Sequence, residues 1–69
     1  MTKSDNLLAS QKQLHQLACN VFNSEVRAVD WLNTFNEALR EEPKALLESH
    51  TGIAEVTKVL NAIAYGGAV

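Results

Sequence analysis

Apolar residues recur along most of this chain every three or four positions, the spacing that keeps them on one side of an α-helix. In the first stretch Leu7, Leu14, Leu17, Ala18 and Val21 share a face, while Gln11, Gln13, Gln16 and Asn20 fall where water is expected. The pattern predicts a helix over about residues 6–21. Ser4, Asp5 or Asn6 would cap it, since each offers an acceptor to the free N–H groups of a first turn. Asn23-Ser24 then interrupts the run, and Ser24 is the expected cap of a second helix. Glu25 follows in its first turn, where the helix end favours negative charge. Ala28, Val29, Trp31 and Leu32 supply the predicted buried stripe, with Arg27 and Asp30 placed to pair across one turn outside it.

Asn33-Thr34 closes the second helix, and Phe35 to Leu39 reads as one more short helical turn. Arg40-Glu41-Glu42 is a polar connector to Pro43, which suits a first helical position because its missing N–H is not needed there. Ala45, Leu46 and Leu47 form the apolar patch of a third helix that ends near Ser49-His50. Thr51 is the expected cap of the last helix, whose stripe is Ile53, Val56, Leu60 and Ile63, broadened by Val59. Gly66 falls where a left-handed helix end is wanted, and Gly67, Ala68 and Val69 follow as a tail. No segment alternates with the period of a strand. The expected fold is therefore all-α, one small domain over residues 1–69 with four main helices and a short central helical turn. Trp31, Leu32, Leu39, Leu46, Leu47, Val56, Leu60 and Ile63 are its expected fold residues.

Composition adds limits to that picture. Apolar residues make up 46% of the 69 positions, enough to collapse. A chain of this length hides only about 60% of the surface its unfolded form exposes. Marginal stability is expected, which gives a reason to self-associate, so a homodimer or higher homo-oligomer is an expected form. Six basic and eight acidic residues leave a net charge of −2, whereas a free-standing nucleic-acid binder carries a basic excess on one face. The last helix would expose Glu55, Thr57, Lys58 and Asn61, and the second Glu25, Arg27 and Asp30, neither a set that reads base edges. Direct nucleic-acid binding is not expected. The polar start Met1-Thr2-Lys3-Ser4-Asp5-Asn6 and the lack of a long apolar run predict no signal, no membrane span and a cytoplasmic location. A single cysteine fits a reducing compartment.

Candidate chemistry is sparse. His15 and Cys19 stand four apart, but a zinc site needs at least three protein donors and His50 would have to come from elsewhere. Cys19 lies within Leu17-Ala18-Cys19-Asn20-Val21, the setting of an inert thiol. Glu37, Glu41, Glu42 and Glu48 would need a desolvating cleft to do acid–base work, and read instead as a solvated rim. Gly52, Gly66 and Gly67 fit no phosphate-binding loop. No catalytic residue, metal or cofactor is expected. What remains is Tyr65 with the glycines and small apolar residues after it, material suited to insertion into a partner's groove.

Several short patterns occur in a fixed order: Val21-Phe22-Asn23-Ser24, Ala28-x-x-Trp31-Leu32, Asn36-x-Ala38-Leu39 and Pro43-x-x-Leu46-Leu47. Gly52-x-x-x-Val56-x-x-x-Leu60-x-x-Ile63-x-x-Gly66 completes the set. Over residues 17–69 this series resembles the toxin-binding domain of the Xre/MbcA/ParS antitoxin family, with residues 1–16 as an N-terminal helical extension. Phe35 stands where that family usually has proline, and Arg40-Glu41 where it usually has a glycine pair. Both changes fall in the connector around the central turn.

The resemblance implies a non-enzymatic antitoxin of a bacterial type II toxin–antitoxin pair. Its implied partner is a RES-domain toxin that destroys NAD, with the final helix and tail covering the toxin's active site. On this chain that role would fall to Lys58, Asn61, Tyr65, Gly66, Gly67, Ala68 and Val69. Most Xre-type members also carry an N-terminal helix-turn-helix that represses their operon. Only about sixteen residues precede the similar region here, so a stand-alone member without autorepression is expected. Two other classes stay open on the residues alone: a small DNA-associated regulator, and a self-associating structural module with no toxin.

Overall fold

The computed structural model describes residues 3–66, with side chains from residue 7 onward. Three α-helices, α1 (Lys3–Phe22), α2 (Glu25–Leu32) and α3 (His50–Ala64), are joined by a loop and a 3-10 helix over Pro43–Glu48. There is no strand among the described residues, only an isolated bridge between Asn36 and Glu41. The all-α class is as predicted, although the third of the four helices has the tighter 3-10 winding. α1 packs against both α2 and α3, and the 3-10 helix packs on α3.

The first helix is longer than its apolar pattern suggested. It begins at Lys3, so Ser4, Asp5 and Asn6 lie inside it and not at its start. It ends at Phe22; Asn23 then takes the left-handed φ of 55°, and the Ser24 N–H donates to the Cys19 carbonyl at 3.2 Å. That bond closes the helix end by reaching five residues back, and asparagine tolerates the left-handed backbone better than most residues. Ser24 then caps α2, its Oγ accepting from the Arg27 N–H at 3.2 Å, with Glu25 in the first turn as expected. At the far end of α2 the Asn33 and Thr34 side chains donate to the Val29 and Asp30 carbonyls.

The core is assembled from Leu14 and Ala18 of α1, Ala28 and Leu32 of α2, and Ile53, Val56 and Leu60 of α3. Ala18 and Ala28 have no exposed surface, and their small side chains let α1 and α2 approach closely. Leu7, Leu17, Trp31, Leu39, Leu46 and Leu47 pack at its edge, and Phe22 meets Trp31 with ring centroids 5.8 Å apart. Four expected members of the apolar stripes lie outside it, Val59 among them as a half-buried residue. Val29 is 41% and Ile63 39% exposed, because each stands at the margin of a helix face whose centre the core already fills. Ala45 is exposed for the same reason. Gln11, expected to face water, is half-buried and donates from Nε2 to the Leu47 carbonyl at 2.7 Å, tying α1 to the 3-10 helix. Arg27 and Asp30 form no ion pair; the pair seen among the described residues joins His15 Nε2 to Glu25 Oε2 at 3.8 Å.

Between α2 and Pro43 the expected short central turn is present as a single hydrogen-bonded turn over residues 36–40, too short to be a helix of its own. The loop is organised by Asn36. The Asn36 carbonyl accepts from the Leu39 and Arg40 N–H groups at 3.2 and 2.7 Å, and its Oδ1 accepts from Ala38 and Leu39 at 2.9 and 3.1 Å. The Asn36 N–H reaches forward to the Glu41 carbonyl at 3.0 Å. Closing so tight a loop puts Arg40 at φ 61°. That is the position where the resembling family usually carries glycine, so the departure is a strained one. Arg40→Gly should therefore stabilise the fold by about 0.5–1 kcal/mol, the left-handed strain relieved outweighing the unfolded-state entropy that glycine adds. Chemical denaturation at equilibrium checks this: an unchanged or lower midpoint would show that the loop relaxes around arginine at no cost.

Pro43 is fully buried and opens the 3-10 helix at its first turn, as its chemistry requires. The cap of α3 is Ser49, not Thr51: its Oγ accepts from the Gly52 N–H at 3.0 Å, and His50 and Thr51 occupy the first turn. Gly52 is itself buried, with the Leu46 backbone lying where a Cβ would point.

Candidate functional site

α3 presents two faces with different duties. Ile53, Val56 and Leu60 recur at three and four residues and anchor one face in the core. Lys58, Asn61 and Tyr65 recur at the same intervals on another face, so the three side chains form a row along the helix surface. Lys58 is exposed and Tyr65 is 85% exposed, the most open of the large apolar side chains among the described residues. Asn61 is half-buried, and its carbonyl accepts from the Tyr65 N–H at 2.9 Å. Thr57, expected to be exposed, is also half-buried and donates to the Ile53 carbonyl at 2.8 Å. Ile63 adds apolar surface near the same end of the helix.

The end of α3 is set by backbone conformation. Tyr65 leaves helical geometry at φ −101° and ψ 32°, and Gly66 takes φ 109°, well into the range that residues with a Cβ avoid. Nothing lies within 4 Å of where a Gly66 Cβ would sit, so conformation and not crowding favours glycine here. Helical geometry thus ends directly after an exposed tyrosine. Gly67, Ala68 and Val69 of the expected partner-binding set lie outside the described residues.

The groups considered for chemistry do not come together. His15 and Cys19 are both half-buried on α1, and no cluster of three metal-ligating side chains occurs among the described residues. Glu37, Glu41 and Glu48 are exposed, and Glu42 is half-buried beside Pro43. No helix among the described residues is long and apolar enough to cross a membrane.

The family model for the antitoxin Xre/MbcA/ParS C-terminal toxin-binding domain matches residues 17–66. The chain belongs to this antitoxin family. No curated protein and no solved structure matches it. The matched residues begin in the second half of α1 and run through Gly66, taking in α2, the Asn36 loop, the 3-10 helix and α3. The antitoxin domain's core also draws on a residue ahead of the match, since Leu14 is 3% exposed among the core side chains. Ile63 of this antitoxin, like Val29 and Ala45, has the spacing of the core yet lies exposed, and its place near the free end of α3 accounts for that.

Proposed function

We propose that this antitoxin neutralises a RES-domain, NAD-degrading toxin by covering its active site with α3 and the segment that follows. Lys58, Asn61, Tyr65 and Gly66, with Gly67, Ala68 and Val69, make the contact. The observation that carries the reading is Tyr65, which is 85% exposed at the end of a helix whose other face is fully committed to the core. A tyrosine in that setting offers a partner large contact area and a polar tip at small entropic cost. Gly66 at φ 109° breaks the helix directly beyond it, so the segment after it is free of helical constraint when it meets a cleft. Exclusion of NAD by occupancy needs no chemistry from the antitoxin, and no cofactor, membrane or nucleic acid. Residues 1–69 act together as one unit in this reading, in the cytoplasm where NAD is consumed.

The test uses the chain tagged at its N-terminus in the bacterium that encodes it. Recovery of a RES-domain protein whose NAD consumption is suppressed by the chain is the expected result. Deleting residues 66–69 should leave the helical circular dichroism intact and reduce suppression at least tenfold, equivalent to about 1.4 kcal/mol of lost binding. If the deletion unfolds the protein, the tail is structural; if it neither unfolds nor weakens suppression, the contact lies elsewhere.

A further inference from the structure

An open groove of about 220 Å3 runs between α1 and α3, lined by Ser10, Gln13, Leu14, Leu17, Ile53 and Thr57. Leu14 and Ile53 form its floor, 3% and 8% exposed, and half-buried Leu17 extends it. Gln13 on the rim is exposed, and Ser10 and Thr57 are half-buried. None of the six lining side chains is charged, and the Thr57 hydroxyl is already engaged with the Ile53 carbonyl at 2.8 Å. Such a lining selects a neutral, mainly apolar occupant. Small-molecule sites take roughly 300–1,000 Å3, so this groove is sized for one or two inserted side chains instead.

The groove opens toward the row formed by Lys58, Asn61 and Tyr65. At about 100° per residue around α3, Thr57 stands about 40° from Ile53, and Asn61 about 40° further in the same sense. Tyr65 and Lys58 follow about 40° and 60° beyond Asn61. Half-buried Thr57 and Asn61 therefore connect the groove to the exposed row without a break. A partner seated on that row lies at the mouth of the groove, and the domain is of a toxin-binding family. The chain's own terminus does not reach. The Tyr65 N–H still bonds the Asn61 carbonyl. Gly66 consequently stands about 13 Å beyond Thr57 and about 19 Å beyond Ile53 along the helix axis, whereas three extended residues span about 10 Å.

We propose that the α1–α3 groove receives one or two uncharged apolar side chains of the toxin, making α1 part of the toxin-binding surface. Ser10, Gln13 and Leu14 precede residues 17–66, so the segment ahead of the matched family domain supplies one wall of the groove. That segment thereby helps to set which toxin this chain accepts, through the fit of an anchor side chain in a closely shaped pocket. The proposal rests on the reading of α3 as the toxin-facing element. It depends neither on the toxin being of the RES type nor on residues 67–69.

Gln13→Trp and Ser10→Leu each add apolar bulk to the groove from its α1 side. Their affinity, measured by calorimetry, is for the toxin that the N-terminally tagged chain recovers, whether RES-domain or not. Each variant should bind at least tenfold more weakly while melting at or above the wild-type temperature, because the added side chain covers groove surface. Gln16→Trp, exposed on α1 and outside the lining, should bind as wild type does. Wild-type affinity in both groove variants overturns the proposal and leaves the α3 row standing. Equal weakening by Gln16→Trp also overturns it, since the effect would then belong to tryptophan anywhere on α1. Weakening by the groove variants together with no effect of deleting residues 66–69 supports the groove and overturns the tail contact. Recovery of no toxin overturns both.

Discussion

Gly52→Ala is expected to strip the domain of most of its stability and bring it to the edge of unfolding at room temperature. Gly52 sits in the first turn of α3, where its N–H donates to Ser49 Oγ and the Leu46 backbone crosses directly over it. An added Cβ would overlap the Leu46 carbonyl oxygen and lie 2.8 Å from the carbonyl carbon and 3.0 Å from the Leu46 Cβ. Backbone cannot rotate aside as a side-chain tip can, so α3 or the 3-10 helix must shift. Shifting either displaces Ile53 and Leu46, which pack into or against the core. The expected loss is about 3 kcal/mol, the upper end of overpacking costs, in a domain whose whole stability is on the order of 3–5 kcal/mol. Ser49→Ala is the control. It removes the cap to the same N–H without adding an atom, and should cost about 1 kcal/mol. Thermal and urea unfolding followed by circular dichroism separates the two. A Gly52→Ala protein within 1 kcal/mol of wild type would mean that the helix junction yields more easily than close packing allows.

Much of this architecture was legible from residue order, and the misplacements share a cause. Helix existence follows from periodicity, so α1, α2 and α3 were each expected. Caps and edges depend on which of several adjacent polar residues the backbone selects. Ser49 and Thr51 are both good caps, and Ser49 takes the role because the Leu46 backbone needs Gly52 in the first turn of α3. Periodicity also cannot tell the centre of a stripe from its margin. Val29 and Ile63 have core spacing, yet the buried volume between the helices is filled by Ala28, Leu32, Val56 and Leu60. Nor does it foresee Gln11 reaching the Leu47 carbonyl, a contact across 36 residues. The ordered motif series carried the family, because it samples every element at once. The Asn36 loop departs from that series at Arg40, and there the local strain is visible in the backbone.

Leu60→Ala and Ile63→Ala should divide along the line between fold and surface. Both are large apolar residues of α3, three positions apart, and spacing alone would assign them the same cost. Leu60 has no exposed surface and is among the largest fully buried side chains, so truncation leaves a cavity bounded by Leu14, Ala18, Val56 and their neighbours. Loss of a buried leucine costs about 2–5 kcal/mol once the cavity is included. In a chain this small that approaches the entire stability, and Leu60→Ala should be largely unfolded, with any loss of toxin suppression following from lost structure. Ile63 is 39% exposed, part of it already in water, so its truncation should cost about 1 kcal/mol or less. Circular dichroism of Ile63→Ala should therefore remain native. Two positions from both Asn61 and Tyr65, Ile63 lies about 200° around the helix axis from them and so off the proposed toxin-facing row; the same variant should melt like a folded protein and leave toxin suppression unchanged. Equal destabilisation by the two variants would show that the C-terminal turn of α3 belongs to the core after all, leaving Tyr65 without the independent surface that partner binding requires.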